Sequence, residues 1–156
     1  MNIFVLDLHP ERAAEYMCDR HIPKMVLETA QLLCSPFSLG VAPYKRTHFN
    51  HPCSKWTRET HQNYMWLVHH GKALGFEFEL RFKKVHKSSA IILWAEQHEH
   101  LLNLPISHRT SFAQAMPEVY KDPQDTVAAY RAYYMGDKKR FAKWSKSRKT
   151  PDWYNL

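Results

Sequence analysis

Apolar residues recur along most of this chain at intervals of three and four, the spacing that gathers them on one face of an α-helix. Between Arg20 and Cys34 the positions Ile22, Met25, Val26, Thr29, Leu32 and Leu33 form one such stripe, with Pro23 tolerated in the first turn and Asp19 as the candidate N-cap. From Pro52 the series Cys53, Trp56, Thr60, Tyr64, Leu67, Gly71, Leu74 and Phe78 predicts one long helix reaching at least Gly75, in which Gly71 and Gly75 permit close helix packing. His9-Pro10 opens a shorter helix ahead of these. Ser88 or Ser89 caps another, and Asp122-Pro123 caps the last, which should stop near Gly136. Ile3 to Leu6 is a continuous apolar run and reads as a short extended segment or strand against the core. The Pro-, Gly- and Ser-bearing stretches 35–52 and 103–123 read as long loops. The expectation is an all-α, compact helical bundle forming a single domain over 1–156, with long loops, a short extended N-terminal segment and a distinct C-terminal segment at 138–156.

A chain of 156 residues with 44% hydrophobic and 13% aromatic content can bury one proper core, which argues against disorder and against two domains. Charge sharpens the picture: 22 Lys and Arg against 15 Asp and Glu give +7 before any of the 11 histidines is counted. Such an excess suits a polyanionic partner, DNA or a nucleotide. It is densest near the C-terminus, where Lys138, Lys139, Arg140, Lys143, Lys146 and Arg148 interleave with Phe141 and Trp144. That pairing suits phosphate contacts combined with base stacking. Three cysteines without a disulfide spacing, and no leader-like start, predict a reducing, cytoplasmic setting. No uncharged apolar run is long enough for a membrane span. With four glycines and no GxxxxGK[ST] loop, nucleoside triphosphate hydrolysis by that route is excluded, and no cofactor is expected.

Candidate chemistry lies on the polar face of the early helix. His21, Lys24, Glu28 and Gln31 follow at i, i+3, i+7 and i+10, within about one quadrant of it. An imidazole can move a proton, an amine can hold phosphate, and a carboxylate can orient either. The bland alternative is a solvated face carrying a Lys24–Glu28 pair. A second polar group, His48, His51, Arg58 and Asn63, lies among aromatics that could hold a base or sugar, although Asn63 on an apolar helix also suits a buried backbone partner. His48, His51 and Cys53 are metal-ligand types, but the paired spacing of a zinc module is missing, so no metal site is expected.

The run Arg20-His21-Ile22-Pro23-Lys24, the size and helix order of the chain, and the terminal Pro151-Asp152-Trp153-Tyr154 resemble the phage pyrimidine-dimer DNA glycosylases of the endonuclease V type. The resemblance implies a small helical enzyme in which an N-terminal α-amine attacks the sugar, a carboxylate on the early helix assists, and basic residues at the Arg20 and Lys24 positions grip DNA. Two departures stand out: the carboxylate position holds His21, and Met1-Asn2 replaces a small residue exposed by methionine removal. An α-amine of ordinary pKa, about 7.7–8.0, is substantially neutral near pH 7, unlike a lysine near 10.4. Met1 is therefore the candidate nucleophile, Glu28 the substitute carboxylate, and His21 the proton carrier. The expected function is a DNA N-glycosylase acting on a damaged or modified base, with abasic-site lyase activity. The alternatives are a nucleotide or modified-base binding protein using the same pocket, with His21, Lys24 and Arg58 on phosphate, or an N-glycosidase acting on free nucleotides.

Overall fold

The computed structural model describes residues 1–154, so the last two positions of the 138–156 segment lie outside the described residues. It is all-α, as the periodicity predicts: α1 (Pro10–Tyr16), α2 (His21–Cys34), α3 (Pro52–Thr57), α4 (His61–Phe82), α5 (Lys87–His98) and α6 (Thr126–Met135), with short 3-10 turns at Glu99–Leu102 and Glu118–Tyr120. The 22-residue α4 is the axis, packing against α1, α2 and α5, while α2 also packs on α5. Among the described residues no helix is long and apolar enough to cross a membrane.

The single helix expected from Pro52 is two helices. Its apolar stripe is buried throughout, but the backbone breaks at 58–60. The break is fixed by side chains: the Thr60 hydroxyl accepts from Asn63 N at 3.0 Å, and the Asn63 amide donates to Trp56 O at 2.8 Å. Periodicity cannot reveal such a break, because the apolar face continues across it. Three expected caps also move. Asp19 is occupied elsewhere, by Arg81 and Ser145, and α2 begins without a side-chain cap. His86, not Ser88, caps α5, its Nδ1 accepting from Ser88 N. Asp125, not Asp122, caps α6, because Asp122 closes its own turn on Gln124 N.

At Gly71 α4 meets two neighbouring helices closely. A Cβ there would lie 2.9 Å from Thr29 Cγ2 and 3.1 Å from Ile92 Cδ1, both on packed helices. Overpacking of this kind costs about 1–3 kcal/mol. Gly71→Ala is expected to lower the urea midpoint accordingly, whereas Gly75→Ala, which meets the Ser89 hydroxyl, should be milder.

The N-terminal run is buried, as expected, but it is not a strand. Phe4 has a left-handed backbone (φ 59°), a conformation that costs a non-glycine residue of order 1–3 kcal/mol unless its surroundings impose it. Asn2 imposes it. Its Oδ1 accepts from Ile3 N at 2.8 Å, Phe4 N at 3.3 Å and the Tyr130 hydroxyl at 2.9 Å, while its amide donates to Ala115 O at 2.7 Å. Phe4 then seats between α2 and α6, stacked on His21 and packed on Tyr130 and Tyr134.

The C-terminal segment is strapped across the other end of α1 and α4. Trp144 donates its indole N–H to Tyr16 O at 2.9 Å, and Ser145 N donates to Asp19 at 2.8 Å. Arg148 forms a two-point contact with buried Glu77 at 2.6 and 3.1 Å, and Glu77 also holds Arg81. These ties bring the stretch 138–141 against the start of α2.

Candidate active site

Two adjoining clefts open beside α2. The first, of about 420 Å³, is lined by Met1, Asn2, Phe4, Lys24, Glu28, His51 and Lys138, with further walls from 114–116, Lys121 and Tyr133. At its base the Met1 α-amine lies 3.2 Å from Glu28 Oε1, with both side chains nearly buried. Glu28 thus pairs with the amine. The arrangement follows from elements already described: the Asn2 brace and the Phe4 kink return the chain start to α2, where Glu28 faces the same cleft as Lys24 one turn earlier.

His51 is the N-cap of α3, its Nδ1 accepting from Cys53 N at 3.1 Å, which puts the proton of the neutral ring on Nε2. Burial pushes the His51 pKa down, and the nearby α-amine and His48 push the same way, against Glu28. Beneath it Cys53 is fully buried and its thiol is pushed up to about 12, mainly by burial, so it is an inert thiol at neutral pH.

The second cleft, of about 520 Å³, is lined by Arg20, His21, Lys24, Lys138, Arg140 and Phe141. Lys24 and Lys138 border both clefts. His21 is buried here rather than beside Glu28, and its Nδ1 lies 2.6 Å from the Tyr134 hydroxyl. Burial first, then the charges of Lys138, Lys24 and Arg20, lower its pKa to about 3. The imidazole is therefore neutral at physiological pH. A base that stays unprotonated down to that range is a poor acid near neutrality, which weighs against the expected role of proton carrier.

Several other candidates belong to the scaffold. Asn63 is fully buried and bonded to Trp56 and to Thr110 through both ends of its amide. Arg58 donates to Phe49 O and stacks 3.8 Å over the Phe49 ring, pinning the long loop. His48 is exposed, has a left-handed backbone and bonds Thr47; Gln31 is half-buried; neither lines a cleft. Trp144 and Arg148 are the structural anchors described above, so Trp144 is not free to stack on a base. Lys139, Lys143 and Lys146 are exposed, outside the clefts. Among the described residues no three His, Cys, Asp or Glu side chains converge as a metal site. The sequence reading missed Asn2, Tyr133 and Tyr134; a polar residue beginning an otherwise apolar, buried run was the one available signal for Asn2.

The amine and carboxylate in one cleft, with cations around it, sit in a part of the chain that a known family covers. The pyrimidine dimer DNA glycosylase profile matches residues 1–89, more than half of the sequence. The chain belongs to the pyrimidine dimer DNA glycosylase family. No curated protein and no solved structure gives a significant match. The matched span holds Met1, Arg20, His21, Lys24, Glu28 and His51, and at the family level it makes this a DNA glycosylase with DNA as its partner. The walls from 114–141 lie beyond the match.

Proposed function

We propose that this glycosylase excises a damaged pyrimidine through an imine formed on the Met1 α-amine and then nicks the strand as an abasic-site lyase. The observation that carries the reading is the 3.2 Å approach of that amine to Glu28 in a cleft large enough for a flipped nucleotide. The neutral amine attacks C1′ of deoxyribose, the N-glycosidic bond breaks, and the base leaves with the bonding electrons and takes up a proton from solvent. The sugar ring opens to the imine. Glu28, alongside the nitrogen, takes the amine proton, returns it to the ring oxygen, and is placed to draw a proton from C2′. The electrons left at C2′ expel the 3′ phosphate, and water then releases the sugar remnant and regenerates the amine. Lys24 and Lys138 hold the phosphates on either side. His51 presents an Nε2–H donor to the same cleft, suited to a carbonyl of the departing base.

The test is borohydride trapping of the full chain on a duplex containing an abasic site. A covalent adduct mapping to Met1 is expected, and one extra residue ahead of Met1 should abolish it. An adduct on a lysine, or none, overturns the amine mechanism. Base release from a panel of duplexes with defined pyrimidine lesions identifies the substrate.

A further inference from the structure

We infer that His51 is the hydrogen-bond donor to the departing pyrimidine, its Nε2–H meeting the C2 carbonyl beside the glycosidic nitrogen, so that it serves base release and not the later strand nick. The inference deepens the glycosylase reading and rests on it for the identity of the leaving group.

The main chain fixes which nitrogen carries the hydrogen. The Cys53 N–H can only donate, and it donates to His51 Nδ1 at 3.1 Å, so the neutral ring accepts there and bears its hydrogen on Nε2. Burial and the charge of the Met1 amine keep that ring neutral at physiological pH, against the pull of Glu28. The backbone around it is held as well. The His51 N–H donates to His48 O at 3.0 Å, Pro52 opens α3 directly after it, and Arg58 ties down Phe49 O two residues before. A donor locked in place before substrate arrives needs no reorganisation when charge develops.

The Nε2–H is also free. It meets no acceptor among the described residues, and unlike His70 Nε2 it is not sealed in the core. The other neutral side-chain N–H groups lining this cleft are engaged: the Asn2 amide donates to Ala115 O, and the Gln114 amide donates to Asp122 O and to Thr126. The α-amine lies near enough for its charge to bear on the imidazole, so nucleophile and donor share one cleft.

When the amine attacks C1′ and the glycosidic bond lengthens, the bonding electrons move onto N1 of the pyrimidine and are shared with its C2 carbonyl oxygen. A fixed N–H aimed at that oxygen strengthens as the charge grows, which lowers the barrier rather than merely adding affinity. The hydrogen stays on Nε2, as it does wherever a neutral imidazole polarises a carbonyl, and the anion of the base takes its proton from solvent. Once the base has gone, the imine and the C2′ proton are handled beside Glu28, and His51 has no further part.

Two variants separate the donor from the helix cap. His51→Asn keeps a good N-cap for α3 but is too short to place an N–H where Nε2 lies, whereas His51→Gln keeps an N–H at about that reach and is the poorer cap. Each is measured in single turnover on a duplex with one cyclobutane thymine dimer, for cleavage of the glycosidic bond, and on a duplex with a preformed abasic site, for borohydride trapping. Affinity for a duplex carrying a tetrahydrofuran abasic analogue, which forms no imine, reports DNA binding alone. His51→Asn should slow glycosidic cleavage by about 10²–10³-fold, against a few-fold at most in trapping and affinity. His51→Gln should restore most of that loss even though its urea midpoint is the lower of the two. Three results overturn the inference: cleavage by His51→Asn within a few-fold of wild type, losses of equal size in cleavage and trapping, or a His51→Gln variant no faster than His51→Asn. A wild-type chain that leaves the dimer intact also overturns it, while trapping on the abasic duplex still decides the amine mechanism separately. Cleavage without trapping removes the amine instead, and the order of the two variants then decides the role of His51 by itself.

Discussion

Glu28→Gln should leave the protein folded and able to bind abasic DNA within a few-fold, yet slow the formation of the borohydride-trapped adduct by about 10²–10⁴-fold, the usual worth of a placed acid–base group. The substitution keeps the shape of the side chain and its contact with the Met1 amine, so packing in the cleft is conserved. It removes the group proposed to receive the amine proton and return it to the sugar oxygen. Affinity should hold or improve, since the one carboxylate facing the amine in a DNA-binding cleft is gone. Single-turnover trapping measured beside affinity for the tetrahydrofuran duplex separates the two effects. A Glu28→Gln variant that traps at the wild-type rate removes the carboxylate from the chemistry.

Acid should unfold this protein far more readily than its net charge suggests. His21 and His70 are buried, and burial holds their pKa values near 3 and 4 against about 6.5 in an unfolded chain. As pH falls through 6.5 the unfolded chain takes up two protons that the folded protein does not accept until pH 3–4. The stability contributed by the neutral rings is thus complete above about pH 6.5 and is lost progressively below it, at about 1.4 kcal/mol per pH unit for each group. Between pH 7 and pH 5 that is about 2 kcal/mol each, or about 4 kcal/mol together. Urea unfolding at the two pH values measures it, and His21→Gln should recover about half. Unchanged midpoints would mean that these rings are not held neutral.

The helices and their buried faces were legible because a period of three to four is written directly into the positions of the apolar residues. The pause at 58–60 was not, since it depends on a hydroxyl and an amide meeting main-chain groups while the apolar period runs on. The same reason moved the caps: whether Ser88 or His86, Asp122 or Asp125, ends up bonded to a free N–H depends on the turn before it. In the cleft, Lys24 and Glu28 could be placed on one face from spacing alone, and Met1 followed from the family resemblance together with the ordinary pKa of an α-amine. His21 could not be placed correctly, because its neutrality comes from burial and from three cations, Lys138, Lys24 and Arg20, that the fold brings together. The basic tail was visible as charge, but sequence holds no sign that Arg148 would be claimed by Glu77, or that Trp144 would turn inward to Tyr16.

The Asn2 carboxamide reaches partners 113 and 128 positions away, at Ala115 and Tyr130. Bundles of helices ordinarily condense fast through local contacts, whereas closing so large a loop is slow and entropically opposed. Assembly of the cleft that holds Met1 and Glu28 is accordingly tied to the last, most global stage of condensation and to some of the least local contacts among the described residues. A change that loosens α6, however remote from the DNA, would register as lost turnover before it registered as lost helix.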